Sequence, residues 1–230
     1  MVAGYSAAQV RAAEAPHLER GEPLMRMAAS ALARAVREVL AERETAGADA
    51  SVLVLAGTGD NGGDALFAAA ELAATGLRVD VAPTGTRLHE DGRSAAVVAG
   101  VRIWEKVSPE EVAQVGATAS VLVDGILGTG TSAAPALRGT ARDIVAALLP
   151  VLDGERRPIV VAVDLPSGIH PDDGSVPDPT VLRADLTVTF GAAKAGLLIE
   201  PGADYAGELT VVDLGLGPEL SLVDPVVERS

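Results

Sequence analysis

The chain of 230 residues has no cysteine, which excludes disulfides and thiolate metal centres. Aromatic residues make up only 2% of it. That argues against the stacking platforms that hold single-stranded nucleic acid. Basic residues number 18 against 32 acidic ones, a formal charge of −14. A surface this acidic repels polyanions, so neither nucleic acid nor an anionic membrane is an expected partner. No apolar run is long enough to span a bilayer, and no signal-peptide pattern opens the chain. A cytoplasmic location is the expectation. Lysine is confined to Lys106 and Lys194, so each stands out against a background in which arginine supplies nearly all the positive charge.

The apolar share is 48% and comes mostly from Ala, Val and Leu. Such a core suits helices lying close on a sheet. Helical spacing predicts helices over Ser6–Glu14 and Leu24–Leu40, broken at Gly21 and Pro23. Ser51–Ala56 (SVLVLA) then reads as a buried parallel strand. Helix is expected at Ala65–Ala74, Ser94–Ala99, Pro109–Val115 and Ala141–Leu149, with strands at Arg78–Ala82, Val101–Trp104, Ser120–Val123 and Pro158–Val163. Asp185–Phe190 and Glu208–Asp213 read as closing strands without a full helix between them. This alternation predicts an α/β fold, a three-layer, doubly wound, mostly parallel sheet of Rossmann-like type. One domain is expected over 1–230, with N-terminal helices to 45, an α/β core over 51–217 and a tail over 218–230. Ligands of such sheets sit outside the carboxyl ends of the strands.

Three loops at that edge carry candidate chemistry. Gly57-Thr58-Gly59-Asp60-Asn61-Gly62-Gly63-Asp64 follows the first strand. Its glycines admit close backbone approach, and the helix after it offers free N–H groups to an anion. Asn61, Gly63 and Asp64 add polarity that the dinucleotide G-x-G-x-x-G does not require, and no Lys-Ser/Thr follows as in a P-loop. The second loop, Asp124 to Ser132, places a carboxylate at a strand end before small and hydroxyl residues. In the third, Asp164-Leu165-Pro166-Ser167-Gly168, a carboxylate emerges from PIVVAV, which is expensive unless it is paired or doing work. A plain turn or helix cap remains the bland alternative for both. Asn61, Asp124 and Ser167 supply hard oxygens that suit an alkali or alkaline-earth cation. Lys194, in the Gly/Ala loop after Phe190, either neutralises a phosphate, pins an acid or is a solvated surface lysine. His17, His89 and His170 have no ligand spacing and are expected at the surface. Trp104 is expected to pack rather than stack.

GTGDNGGDA, DGILGTG, VVAVDLPSG and TFGAAKAG, in this order, resemble the NAD(P)H-hydrate epimerases, the YjeF N-terminal domain family. The resemblance runs from the AAEAP and LMRMAA helices to VVDLGLG. It implies an isomerase that interconverts the R and S forms of hydrated NADH and NADPH, a nucleotide-repair reaction. It also implies that Asp60, Asn61, Gly62, Gly63, Asp64, the stretch Gly128, Thr129, Gly130, Thr131, Ser132, Ala133 and Ala134, and Asp164 bind the substrate. A potassium ion is implied at Asn61, Asp124 and Ser167. The family often has Asn at the place of Asp60, Gly at Ala65 and Pro at Ala195. Asp60 puts a negative charge beside the expected phosphate.

The hydrate is a hemiaminal at C6, so epimerisation needs a proton carrier whether it loses water or opens its ring. Asp164 is the candidate, its pKa expected to rise by partial desolvation, with Lys194 as partner. Two rivals remain. Similar domains occur in messenger-RNA-decapping scaffolds and in an apolipoprotein-binding protein, so a non-catalytic nucleotide- or protein-binding module is the alternative. A nicotinamide oxidoreductase would need an acidic ribose reader, for which only Asp80 is placed. Bacterial relatives are often fused to a dehydratase domain; the sequence leaves open a stand-alone enzyme or one half of such a protein. The N-terminal helices are expected to lie against a second copy, giving a homodimer.

Overall fold

A computed structural model describes residues 2–42, 50–131 and 134–229. In chain order the elements are β1 (Val2–Tyr5), α1 (Ala7–Glu19), α2 (Leu24–Glu42), β2 (Ser51–Ala56), α3 (Asp60–Ala74), β3 (Arg78–Pro83), α4 (Glu90–Val98) and β4 (Arg102–Ile103). Then come α5 (Pro109–Gly116), β5 (Val121–Gly125), α6 (Gly139–Leu152), β6 (Ile159–Val163), β7 (Leu186–Phe190), β8 (Ala193–Lys194), α7 (Ala203–Ala206), β9 (Glu208–Val212), α8 (Gly217–Leu220) and β10 (Val227–Arg229).

Seven strands form one sheet in the order β4-β3-β2-β5-β6-β7-β9, and every pair in it is parallel. Residues alternate between two apolar layers. Val52 and Val54 pack with Leu32, Val36 and Leu66 on one face. Leu53 and Leu55 pack with Ile144 and Leu148 on the other. The expected three-layer α/β fold is therefore present. The direction of winding reverses between β2 and β5, the crevice where open α/β sheets bind ligands. Among the described residues, no helix is long and apolar enough to cross a membrane.

Three short strands escape the periodicity. β1 pairs antiparallel with β10 and parallel with β8, in a separate sheet. The stretch read as a tail thus contains β10. Strands of 2 to 4 residues are too short to display an alternation, and long-range pairing alone defines them. α3 also starts at Asp60, five residues before the expected Ala65. The glycines permit this early start. A Cβ on Gly62 would lie 2.1 Å from the Gly57 carbonyl oxygen, and one on Gly57 would lie 1.8 Å from that of Ile126. Only glycine lets the first turn of α3 press against the ends of β2 and β5.

Four placements correct the sequence reading. His17, expected at the surface, is 6% exposed. Glu22 and Glu219 flank its ring at 2.7 and 3.4 Å, and these carboxylates make its burial tolerable. His89 caps α4 and His170 accepts hydrogen bonds from the amides of Asp172 and Asp173, so both are half-buried rather than free at the surface. Asp80 is not a ribose reader, because it is buried and takes hydrogen bonds from Arg102 and from Trp104 Nε1. Trp104 packs against the second apolar layer, as expected.

Candidate functional site

Asp124 is the penultimate residue of β5 and Asp164 follows β6, neighbouring strands of the sheet. The Asp124 side chain accepts hydrogen bonds from the Ser167 hydroxyl at 2.6 Å, the Ser167 amide at 2.8 Å and the Ile126 amide at 3.3 Å. Burial pushes this carboxyl up, and the Ser167 and Ile126 donors partly offset the rise. The Ser167 hydroxyl also accepts from the Leu127 amide at 2.8 Å, and Asn61 Nδ2 donates to the Leu127 carbonyl at 3.0 Å. Turns far apart in the chain thus converge on one residue, Leu127. The donors are all hard oxygens, with a single carboxylate among them. That set matches a weakly charged, oxygen-loving cation better than zinc or copper.

Asp164 sits 8% exposed with a φ of +66°, in the left-handed region that Asp tolerates better than most residues. It is not a lone desolvated acid. Lys194, 2% exposed, forms an ion pair with its Oδ1. Thr189 Oγ1 and the Phe190 amide donate to the same oxygen at 3.1 and 3.3 Å. Oδ2 has no hydrogen-bond partner among the described residues. Lys194 Nζ further donates to the Phe190 carbonyl at 2.8 Å and to Thr189 Oγ1 at 3.2 Å. The solvated-lysine alternative is therefore overturned. β1 fixes the position of this lysine, since Tyr5 pairs with Lys194 across the small sheet.

A cavity of about 560 Å³ opens over this pair. Asp60, Asn61 and Asp64 enter it from the first turns of α3, Gly128, Thr129 and Gly130 from the loop after β5, and Asp164 from the turn after β6. Gly59, the N-cap of α3, has no side chain to cap the helix, so its first amides remain available to an anion. Gly62 and Gly63 stand behind the cavity: the former packs on Gly57, and the latter faces His89 and Met25. Ala134 lines an adjoining cavity of about 260 Å³ with Thr58 and Arg138. Thr131 closes the short turn that starts at Thr129, while Ser132 and Ala133 lie outside the described residues.

One wall was not anticipated. Val10, Arg11 and Glu14 of α1 line the cavity, and Arg11 Nη1 donates to the Thr129 carbonyl at 3.3 Å. Burial raises the Glu14 carboxyl, and Lys194 opposes that rise. Asp64 is pushed well above the ordinary carboxylate range, first by burial and then by Asp164 and Asp60. In the sequence Glu14 is one glutamate of a polar helix, with no glycine or strand end to mark it.

A parallel sheet with an anion-ready helix start, an oxygen-rich turn cluster and a buried acid–lysine pair at its switch point defines an α/β small-molecule site of nucleotide-binding type. The particular family follows from comparison. The profile of the YjeF-related protein N-terminus matches residues 21–196, and the chain belongs to that family. It is 52% identical to the NAD(P)H-hydrate epimerase of Clavibacter michiganensis subsp. michiganensis, over 99% of this chain and 96% of that one. It is 39% identical to the bifunctional NAD(P)H-hydrate repair enzyme Nnr of Pyrobaculum aerophilum, over 88% of this chain but 40% of that protein. The crystal structure of yeast ynu0 superposes with a TM-score of 0.74 at 20% identity, covering 100% of this chain and 97% of that one. The yeast likeness bears on the fold alone.

Proposed function

We propose that this chain epimerises the R and S forms of hydrated NADH and NADPH. The observation that carries the reading is the Asp164–Lys194 pair buried at the floor of a cavity that α3 opens to anions. The nicotinamide end lies over Asp164. The pyrophosphate lies at the α3 N-terminus, where unpaired amides favour negative charge. Asp60 at that end works against the phosphate, so affinity leans on other contacts. Asp164 Oδ2 exchanges a proton with the oxygen on C6, and Lys194 holds the carboxylate through Oδ1.

Potassium fits Asn61, Asp124 and Ser167, with the Leu127 carbonyl beside them. When bound it supplies positive charge that offsets the repulsion between this acidic edge and a ligand phosphate. The S form produced here would be consumed by a dehydratase, on a separate chain or a fused domain, and the cytoplasm is the compartment proposed. A non-catalytic binding module has less support, because such a role gives no reason to bury an acid–lysine pair at a cavity floor.

The test is the ratio of R to S hydrated NADH, followed by chromatography with and without the protein, in potassium and in sodium buffers. The protein is expected to speed equilibration, and faster in potassium. Asp164→Asn should bind the hydrate nearly as well and turn over about 10²-fold more slowly or worse. Normal turnover by that variant removes Asp164 from the chemistry.

A further inference from the structure

The cavity contains one buried polar atom that the proton exchange at Asp164 leaves idle. Oδ1 of Asp64 is buried and has no hydrogen-bond partner among the described residues, yet Asp64 lines the same cavity as Asp164. The charged groups that act on it come from four elements. Glu14 of α1, Asp60 of α3 and Asp164 after β6 are all acidic. Lys194 of β8 is the single cation among them, and its ammonium is already bound to Asp164, Thr189 and the Phe190 carbonyl. An ionised Asp64 would be a buried charge among like charges with no partner, which is costly. A carboxyl escapes that cost by keeping its proton. Burial, followed by repulsion from Asp164 and Asp60, drives its pKa in that direction.

We propose that Asp64 acts as a neutral carboxylic acid that protonates the hydroxyl on C6 of the hydrate, while Asp164, paired with Lys194, is the base. This inference rests on the epimerase reading. Asp64 gives its proton to the hydroxyl oxygen, and the C6–O bond breaks with its electron pair leaving on water. The lone pair of the ring nitrogen forms the C=N bond of an iminium. Water then adds to the other face of C6 and gives one proton to Asp164, and the C=N electrons return to nitrogen. The configuration is inverted, and the two carboxyls have exchanged protonation states. A turnover in the opposite sense, or proton exchange with bulk water, restores them. The division of labour follows from environment: Asp64 has a buried oxygen without a partner, whereas Asp164 is ion-paired with Lys194.

Asp64→Asn keeps the side chain's size and removes the transferable proton. It should lower kcat about 10²-fold with little change in KM. Wild-type kcat should fall as pH rises through the elevated Asp64 pKa, because the protonated form is the active one, and this limb should vanish in Asp64→Asn. The ¹³C shift of the Asp64 carboxyl, assigned through its own backbone in the unsubstituted protein, should report a protonated group at neutral pH. That measurement stands even where the variant does not fold. A normal kcat in Asp64→Asn, a basic limb that survives the substitution, or an ionised Asp64 at neutral pH overturns the proposal and leaves the epimerase reading intact. A wild-type protein that never alters the R-to-S ratio sinks both.

Discussion

Asp124 and Asp164 are a matched pair with opposite fates. Asp124 lies at the carboxyl end of one apolar strand and Asp164 just after another, and the two strands are neighbours in the sheet. Asp124, fully buried, collects one hydroxyl and two amide donors and no cationic side chain among the described residues. Asp164 collects a lysine as well as its hydroxyl and amide donors. A carboxylate surrounded by neutral donors and oxygen atoms can recruit a cation from solution. One already paired inside the protein is free to handle protons instead. On the proposed reading, chemistry divides along the sheet edge according to which partner arrives from elsewhere in the chain.

The largest expected effect is on the paired acid. Lys194→Met removes a buried partner and leaves Asp164 uncompensated, so unfolding free energy should drop by about 3–5 kcal/mol. Urea denaturation reads this directly, and adding Asp164→Asn should return part of the loss. A drop of only a few tenths would show that the pair is not a structural lock.

The unpaired acid should respond to salt identity. Potassium at a hundredfold excess over its Kd stabilises a single-site protein by about 2.7 kcal/mol. A corresponding rise in Tm of about 5–10 °C, in potassium relative to tetramethylammonium, should disappear in Asp124→Asn. Equal Tm values for the native protein in both salts would break the contrast between the two carboxylates.

The smallest effect concerns His17, buried against acids as Lys194 is, but beside the outer helix α8. Its pKa is raised above the usual 6.5, chiefly by the hydrogen bond to Glu22. Its stabilising contribution is complete below the unfolded value and fades as pH climbs through the folded one. The stability advantage of the native protein over His17→Gln should therefore shrink between mildly acidic and mildly alkaline pH, as denaturation midpoints across that range would reveal. A constant difference would mean that His17 does not change charge there.

The central strands were legible because buried parallel strands read as uninterrupted apolar runs, and SVLVLA and PIVVAV are such runs. The oxygen-rich turns were legible because strand ends in this fold point to one edge. β1, β8 and β10 were not, being too short for any period to show. Their absence from the reading hid the most consequential placement, the pairing of Tyr5 with Lys194. Glu14 was invisible for a related reason: a helix reports which residues share a face, and not what that face covers.

From its amino acids alone this chain determines the alternation of strand and helix, the glycines that let α3 begin against β2, and the acids and hydroxyls carried to the ligand edge. These are local matters of periodicity, size and backbone freedom. Only the tertiary structure decided that Lys194 meets Asp164, that Asp64 keeps a buried oxygen without a partner, and that α1 walls the cavity. Those outcomes depend on electrostatics between groups dozens of residues apart, and distance in space is what sets the charge each one carries.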